Sequence, residues 1–356
     1  MAKQDLSDTT MIDGMPTIID VARIAGVSVS TVSRVLNERS DVSEATRRSV
    51  QEAIERLGFA PRATARRLVT RQSRALSLLF SSTYASLSSF DLDFILGAAT
   101  ATSERDYFFN MVTDTLSDTR LLNMYRSGLV DGVILMQILL DDWRVKLLNE
   151  QRLPFVAIGR PADTNNLNYI DLDFEGGVTA MVDFLVSLGH RHLAAIGRPH
   201  TQVASGLGVA VRARESFLKA AAHHGIAPIT VATDLDAAAM AQATYHLLDA
   251  YPELTAIITT NGPTTAGVLH ALRDRGRAVP HDMSVIAIST NRVAELLTPT
   301  LTNVRFPTAD IGHQAASMLI RRLDERQNGM APRIEQILIP ASITMRETTA
   351  PPPNRS

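Results

Sequence analysis

The feature that most constrains this chain lies near its start. In TIIDVARIAGVSVSTVSRVLNERSDVSEATRRSVQEAIERLGF (17–59), three helical apolar stripes are separated by residues that stop one helix and start the next. Thr17 is placed to cap the first helix, and Asp20 three residues on gives a weak form of capping box. Ile18, Val21, Ala22 and Ala25 follow at the spacing of one helical face. Gly26 ends that helix, because glycine takes the left-handed C′ conformation without a Cβ clash. Ser28 caps a second helix running to about Asn37. Its buried stripe is Val32, Val35 and Leu36, with Val29, Ser30, Ser33, Arg34 and Asn37 on other faces. Ser43 caps a third, with Val50, Ala53, Ile54 and Leu57 inward and Gly58 at its end. Two helices joined by a tight glycine-containing turn, the second opening on short polar residues, form the helix-turn-helix pattern. A three-helix bundle that docks on protein has the same pattern.

The charge distribution bears on that choice. From Pro16 to Arg74 there are eleven arginines and six acids, a surplus of five. The whole chain holds 35 Lys and Arg against 37 Asp and Glu, so the rest, with 24 bases and 31 acids, is negative by seven. A small basic module on a larger acidic body is the electrostatic footprint of a DNA binder with a separate regulatory domain. In a recognition helix the first side chains face base edges in the major groove. Val29 and Ser30 allow close approach, and Arg34 suits a bidentate contact to guanine O6 and N7. Thr17, Thr31 and Ser33 suit phosphates, which set register rather than sequence.

The wording of this stretch is more specific than its pattern. DVARIAGVSVSTVSRVLN (20–37) and VSEATR (42–47) resemble the signature of the LacI/GalR family of transcription regulators. The resemblance implies operator binding by Thr17, Ser28, Val29, Ser30, Thr31, Ser33, Arg34 and Asn37. Asp41 departs from it, standing where a basic or polar residue often approaches DNA. PRATARRL (61–68) resembles the family's hinge, which folds when two copies meet in the minor groove at the operator centre. There Leu68 would wedge into the central base step, a minor-groove device, with Ala65 and Arg66 as neighbouring contacts. Arg62 replaces the usual Asn and suits phosphate. By itself so short a helix is marginal in water, and a basic linker reads the same way.

At 356 residues the chain is long enough for two or three domains. From Ala75 onward, apolar runs such as GVILM, FVAIG, HLAAIG, AIITT and SVIAIS alternate with helical segments, which means parallel sheets covered by helices. The expected fold class is an α/β two-lobed periplasmic-binding-protein-like core, parallel sheets with helices on both faces, behind an all-α helix-turn-helix headpiece. The resemblance spans about 16–346, through LVDGVIL (129–135), DFLVSLGHRHLAAIG (183–197), the block 256–289 and LTNVRFPTADIG (301–312). The expected division is a disordered extension over 1–15, the DNA-binding domain over 16–61 and a hinge over 62–73. An effector-binding and dimerisation core follows over 74–346, then a disordered tail over 347–356. Lobe 1 takes 74–188 and 307–337, and lobe 2 takes 189–306 and 338–346.

Ligands of such sheets bind beyond the carboxyl ends of the strands. The resemblance places the effector near Asn261, Asp173 and Ser289, but the family's acids after Asn261 and at 289 are replaced by Gly262 and Ser289, and its arginine falls on Ala213 between Arg212 and Arg214. Losing those anchors points to a different hydroxyl pattern, an acidic or modified sugar, or a non-sugar effector. Arg160, Arg198 and Arg214 are placed to hold a negative charge. Phe90, Tyr84 and Phe174 suit stacking on a ring or core packing. His190 and His192 read as a cationic pair at a helix C-terminus.

No Gly-rich phosphate fingerprint, GxSxG elbow or metal-ligand spacing is present, so neither an enzyme nor a cofactor is expected. The absence of cysteine fits a reducing cytoplasm. No run reaches the roughly 18 apolar residues of a membrane helix, and the polar N-terminus does not read as a signal peptide. The expected partners are a pseudo-palindromic double-stranded DNA operator, a small-molecule effector related to sugars, and a second copy of the chain in a homodimer. Release by an inducer, corepression and dual regulation are all compatible with these residues.

Overall fold

The computed structural model describes residues 16–36, 39, 41–59, 72–80, 89–331 and 333–353. The chain divides into two compact units, 1–73 and 74–356.

In the first unit three helices close on one small core. Before α1 (Ile18–Ala25), the Thr17 backbone N–H and hydroxyl both donate to Asp20 Oδ2, at 2.9 and 2.7 Å. The Asp20 backbone N–H donates back to Thr17 Oγ1 at 3.4 Å, so the capping box is complete in both directions. Gly26 follows at φ 68°, the left-handed conformation that turns the chain into α2 (Val29–Leu36). Thr31 N–H donates to Ser28 Oγ at 3.1 Å to start that helix, and Ser43 caps α3 (Glu44–Leu57). Val21, Val32 and Val50, one from each helix, are fully buried together with Val35, Ala53 and Phe59. Ser49 Oγ donates to the Ala25 carbonyl at 3.2 Å, tying α3 to the end of α1.

The second unit holds two six-stranded sheets of the same winding. The first contains β1 (Ala75–Leu79), β2 (Phe108–Val112), β3 (Gly132–Leu135), β4 (Phe155–Ile158), β5 (Tyr169–Leu172) and β11 (Gln336–Ile339), in the order β11-β5-β4-β3-β1-β2. The second contains β6 (Leu193–Gly197), β7 (Ile229–Ala232), β8 (Ala256–Thr259), β9 (Ser284–Ile288), β10 (Thr302–Arg305) and β12 (Ser342–Thr344), in the order β12-β10-β9-β8-β6-β7. All pairings are parallel except β10 with β12. β1, β3, β4, β8 and β9 are buried at every residue, as expected of strands covered on both faces.

Helices α4 (Ser89–Ser103), α5 (Asp118–Arg126), α6 (Trp143–Glu150) and α13 (Ala309–Gln327) belong to the first lobe, where α13 lies along α4. Helices α8 (His200–Ala204), α9 (Gly208–His223), α10 (Ala237–Ala250), α11 (Thr265–Asp274) and α12 (Asn291–Leu296) belong to the second. Helix α7 (Phe174–Ser187) corrects the expected division. It follows β5 directly, yet packs on α9, β9 and β12, so the first crossing falls at 173 rather than 188. β11 pairs with β5 through Ile339, which moves the last crossing from 337 to beyond 339. The three crossings meet at Gly177, where a Cβ would lie 3.2–3.3 Å from Val304, Ala341 and Phe306.

The expected disordered tail is also corrected over 347–353. Thr348 is fully buried; its hydroxyl accepts from Thr302 N–H and donates to the Val285 carbonyl, at 2.8 and 2.7 Å. His190 is part of the same attachment rather than an exposed cation. Its Nδ1 bonds Thr255 Oγ1 at 2.9 Å, and its Nε2 lies 3.0 Å from Ser284 Oγ and 2.9 Å from the Ala350 carbonyl. Burial lowers its pKa, against the opposing bond to Ala350.

Candidate functional site

Two sites stand out, one in each unit. In the first, the start of α2 carries a cluster of short hydroxyl side chains. Ser28 Oγ lies 2.8 Å from both Ser30 Oγ and Thr31 Oγ1. Val29 beside them is exposed although apolar, so it adds nothing to the core. Arg34 projects from the last turn, and its Nη1 lies 3.4 Å from Asp41 Oδ2, both side chains being more than half exposed. Thr17 stands at the N-terminus of α1, its hydroxyl engaged in the capping box. Ser33 is half-buried. Asn37 and the hinge residues Arg62, Ala65, Arg66 and Leu68 lie outside the described residues. This surface meets the geometric demand of a recognition helix, with small side chains at its start and one long cation a turn further on.

In the second unit a cavity of about 200 Å³ lies between the lobes. Its polar lining follows strand ends in order: Gln137 after β3, Arg160 after β4, Asp171 in β5, Arg198 after β6 and Asn261 after β8. This is where open α/β sheets bind ligands. Phe90 and Phe174 supply aromatic walls, and Phe174 also packs on Phe306 with ring centroids 5.3 Å apart. Tyr84 lies outside the described residues.

The lining charges are unequally engaged. Arg160 bonds Glu175 and lies 3.8 Å from Asp171. Burial pushes the Asp171 carboxyl up to about 6, against the pull of Arg160 and Arg212. Arg212 crosses between the lobes, donating to the carbonyls of Arg160 and Pro161 at 2.9 and 3.1 Å. Beside it Leu139 and Leu207 form an antiparallel bridge: Gly208 N–H donates to the Ile138 carbonyl at 2.9 Å, and Leu140 N–H to the Gly206 carbonyl at 2.7 Å. The loop carrying Gln137 is held from below by Arg144, whose Nη2 donates to the carbonyls of Met136 and Gln137 and to buried Asp142.

Of the expected effector residues, the structure brings Phe90, Phe174, Arg160, Arg198 and Asn261 to this cavity. The other three are corrected. Asp173 caps α7, accepting from Gly176 N–H at 2.8 Å. Ser289 is fully buried and its hydroxyl donates to the Thr290 carbonyl. Arg214 lies one helical step past the cleft face and lines a smaller apolar cavity inside the second lobe. Gln137, Asp171 and Arg212 were not singled out from the sequence. Asp171 carried a usable signal, a lone carboxylate near the carboxyl end of an apolar strand.

A helix-turn-helix unit joined to a two-lobed, doubly wound body with a ligand-sized cavity defines a regulator of transcription that responds to small molecules. Residues 17–62 match the model for bacterial regulatory proteins of the lacI family, and residues 182–349 match the periplasmic binding protein-like domain. The HTH-type transcriptional regulator CelR of Thermobifida fusca is 34% identical over 317 residues, covering 86% of this chain and 92% of that protein. The probable HTH-type transcriptional repressor ExuR of Bacillus subtilis is 29% identical over 341 residues, covering 94% and 98%. Among solved structures, the lac repressor dimer bound to operator and the anti-inducer ONPF matches with a TM-score of 0.81 at 25% identity, over 94% of this chain and 99% of that one. The CelR–cellobiose complex matches with a TM-score of 0.68 at 29% identity, over the same shares. The chain belongs to the LacI family. It is a sequence-specific DNA-binding regulator of transcription.

Proposed function

We propose that the chain is a cytoplasmic, homodimeric repressor of carbohydrate or related catabolic genes, without enzymatic activity. Its hold on a pseudo-palindromic operator is set by a small-molecule effector in the interlobe cavity. The observation that carries this reading is the placement of Gln137, Arg160, Asp171, Arg198 and Asn261 at the carboxyl ends of β3, β4, β5, β6 and β8 around one cavity, in a chain that also carries a helix-turn-helix. In this reading Val29, Ser30 and Arg34 meet base edges. Thr17, Ser28, Thr31 and Ser33 meet phosphates, as does Arg62, and Asn37, Ala65, Arg66 and Leu68 complete the contact. The dimer and the sugar-class effector are supported by the operator-bound lac repressor dimer and the CelR–cellobiose complex. Effector and operator then bias one another reciprocally, with a coupling of about 1–3 kcal/mol.

The test is a gel shift and footprint on DNA flanking the gene, across a salt series, with and without a panel of sugars and sugar acids. A protected palindrome whose affinity falls with salt and changes with one panel member is the expected result. Uniform binding to all DNA, unmoved by any of the compounds, would sink the reading.

A further inference from the structure

Among the described residues three buried side-chain polar atoms have no hydrogen-bond partner, and two of them, Gln137 Oε1 and Arg198 Nε, belong to residues that line the interlobe cavity. One is an acceptor from the first lobe, the other a donor from the second. A buried polar atom left unpaired forfeits its hydration with no return. Two such side chains on opposite walls of one cavity can both be completed by a single ligand.

The charges narrow that ligand. The second-lobe wall contributes Arg198 and Arg212 and no carboxylate. The two positions where the family resemblance expects acids are Gly262 and Ser289, and neither side carries charge. Arg160 is engaged by Glu175 and Asp171, and Arg212 by two carbonyls. Arg198 has Nη1 bonded to Gln202 Oε1 at 3.1 Å and forms no ion pair among the described residues. Burial works against its charge, and the charge of Asp91, a first-lobe carboxylate that also lines the cavity, opposes that. A buried guanidinium without a paired anion is costly unless an anion arrives. Size adds a second limit, because about 200 Å³ is below the ~300–1,000 Å³ of pockets for drug-sized ligands and suits a single ring.

Resting on the reading of this cavity as the effector site, we propose that the effector is a monosaccharide-sized sugar acid. Its carboxylate seats on the Nε edge of Arg198, and one of its hydroxyls donates to Gln137 Oε1. One available guanidinium edge matches the two oxygens of a carboxylate. A phosphate ester carries more charge than this single fork answers.

The test is calorimetry on the full chain without DNA, using D-glucuronate, D-galacturonate and D-gluconate against D-glucose, D-galactose, cellobiose and glucose 6-phosphate at fixed ionic strength. At least one acid should bind roughly tenfold or more tightly than every neutral sugar and the phosphate. Arg198→Met should weaken that acid by roughly ten- to hundredfold while leaving the ligand-free melting temperature unchanged or higher, and Arg198→Lys should restore part of the affinity. Gln137→Glu, which sets a carboxylate in the same cavity, should also abolish acid binding. Equal or tighter binding of neutral sugars or of the phosphate, no binding of any acid, or acid binding indifferent to Arg198→Met and Gln137→Glu would each overturn the assignment. Operator binding is read separately by gel shift, so its failure leaves these outcomes intact.

Discussion

Ser289 fills the space that a side chain at position 262 would need. A Cβ on Gly262 would overlap the Ser289 Cβ and Oγ and lie 3.1 Å from its Cα. The two departures from the family's acidic positions are therefore one packed unit, and restoring an acid at 262 alone is sterically blocked. Gly262→Ala is expected to destabilise the protein by about 1–3 kcal/mol, the usual cost of overpacking a close contact. Ser289→Gly in the same chain should recover most of that loss. Urea unfolding of the two single variants and the double variant measures it, and additive losses would refute the pairing.

Arg34 is tied to Asp41 in a contact worth only about 0–1 kcal/mol at such exposure. A bidentate guanine contact is worth about 1–3 kcal/mol, so the pair should yield on the operator. Arg34→Ala should cut the preference for the specific site over scrambled DNA by roughly ten- to hundredfold. Asp41→Asn should instead tighten binding to all DNA, by up to roughly fivefold at low salt, with the preference unchanged. Competition gel shifts separate the two effects.

Arg144 and Asp142 form a buried pair at 2.6 Å, with the Asp142 carboxylate fully covered. Removing one partner strands the other charge, so Arg144→Met should cost about 3–5 kcal/mol. Adding Asp142→Asn should return part of it, although the N-cap bond to Arg144 N–H is weakened. Because Arg144 also holds the carbonyls of Met136 and Gln137, ligand affinity should fall with stability in the single variant. Denaturant unfolding checks the first effect and calorimetry the second.

His190 predicts a pH dependence of stability. Burial depresses its pKa in the folded protein, so its contribution is intact above the unfolded value near 6.5. As pH falls through that value the unfolded chain takes up a proton that the folded chain resists, and stability drops. The melting temperature of the native chain should therefore fall between about pH 7 and pH 5 more steeply than that of His190→Gln. Parallel slopes in the two proteins would exclude His190 as the cause.

Sequence carried the headpiece almost whole, because caps, stops and apolar stripes there act within a few residues: Thr17, Gly26, Ser28 and Ser43 each do locally what their positions implied. Most strands were legible for the same reason, as short apolar runs. Short strands that depend on distant partners were harder. β11 alternates exposed and half-buried residues at a sheet edge, and β12 has only three residues. The cleft was legible only in part. Alignment by family position pointed to Ala213, whereas the helix turns that residue inward and presents Arg212 to the other lobe. By family position Asp173 reads as a ligand, but its carboxylate is engaged by the N-terminus of α7. The fate of α7 and of the tail was hidden because α7 packs on β9 and β12, about a hundred or more residues ahead of it, and the tail bonds strand residues 46 and 63 positions behind it.

The meeting of three chain passages at Gly177 limits what a bound molecule can change in the body. Val304, Phe306 and Ala341 crowd that point from the other two passages, so the chain there has no spare volume to give up. Any side chain added at 177 would have to displace one of those passages, with the cavity empty or filled.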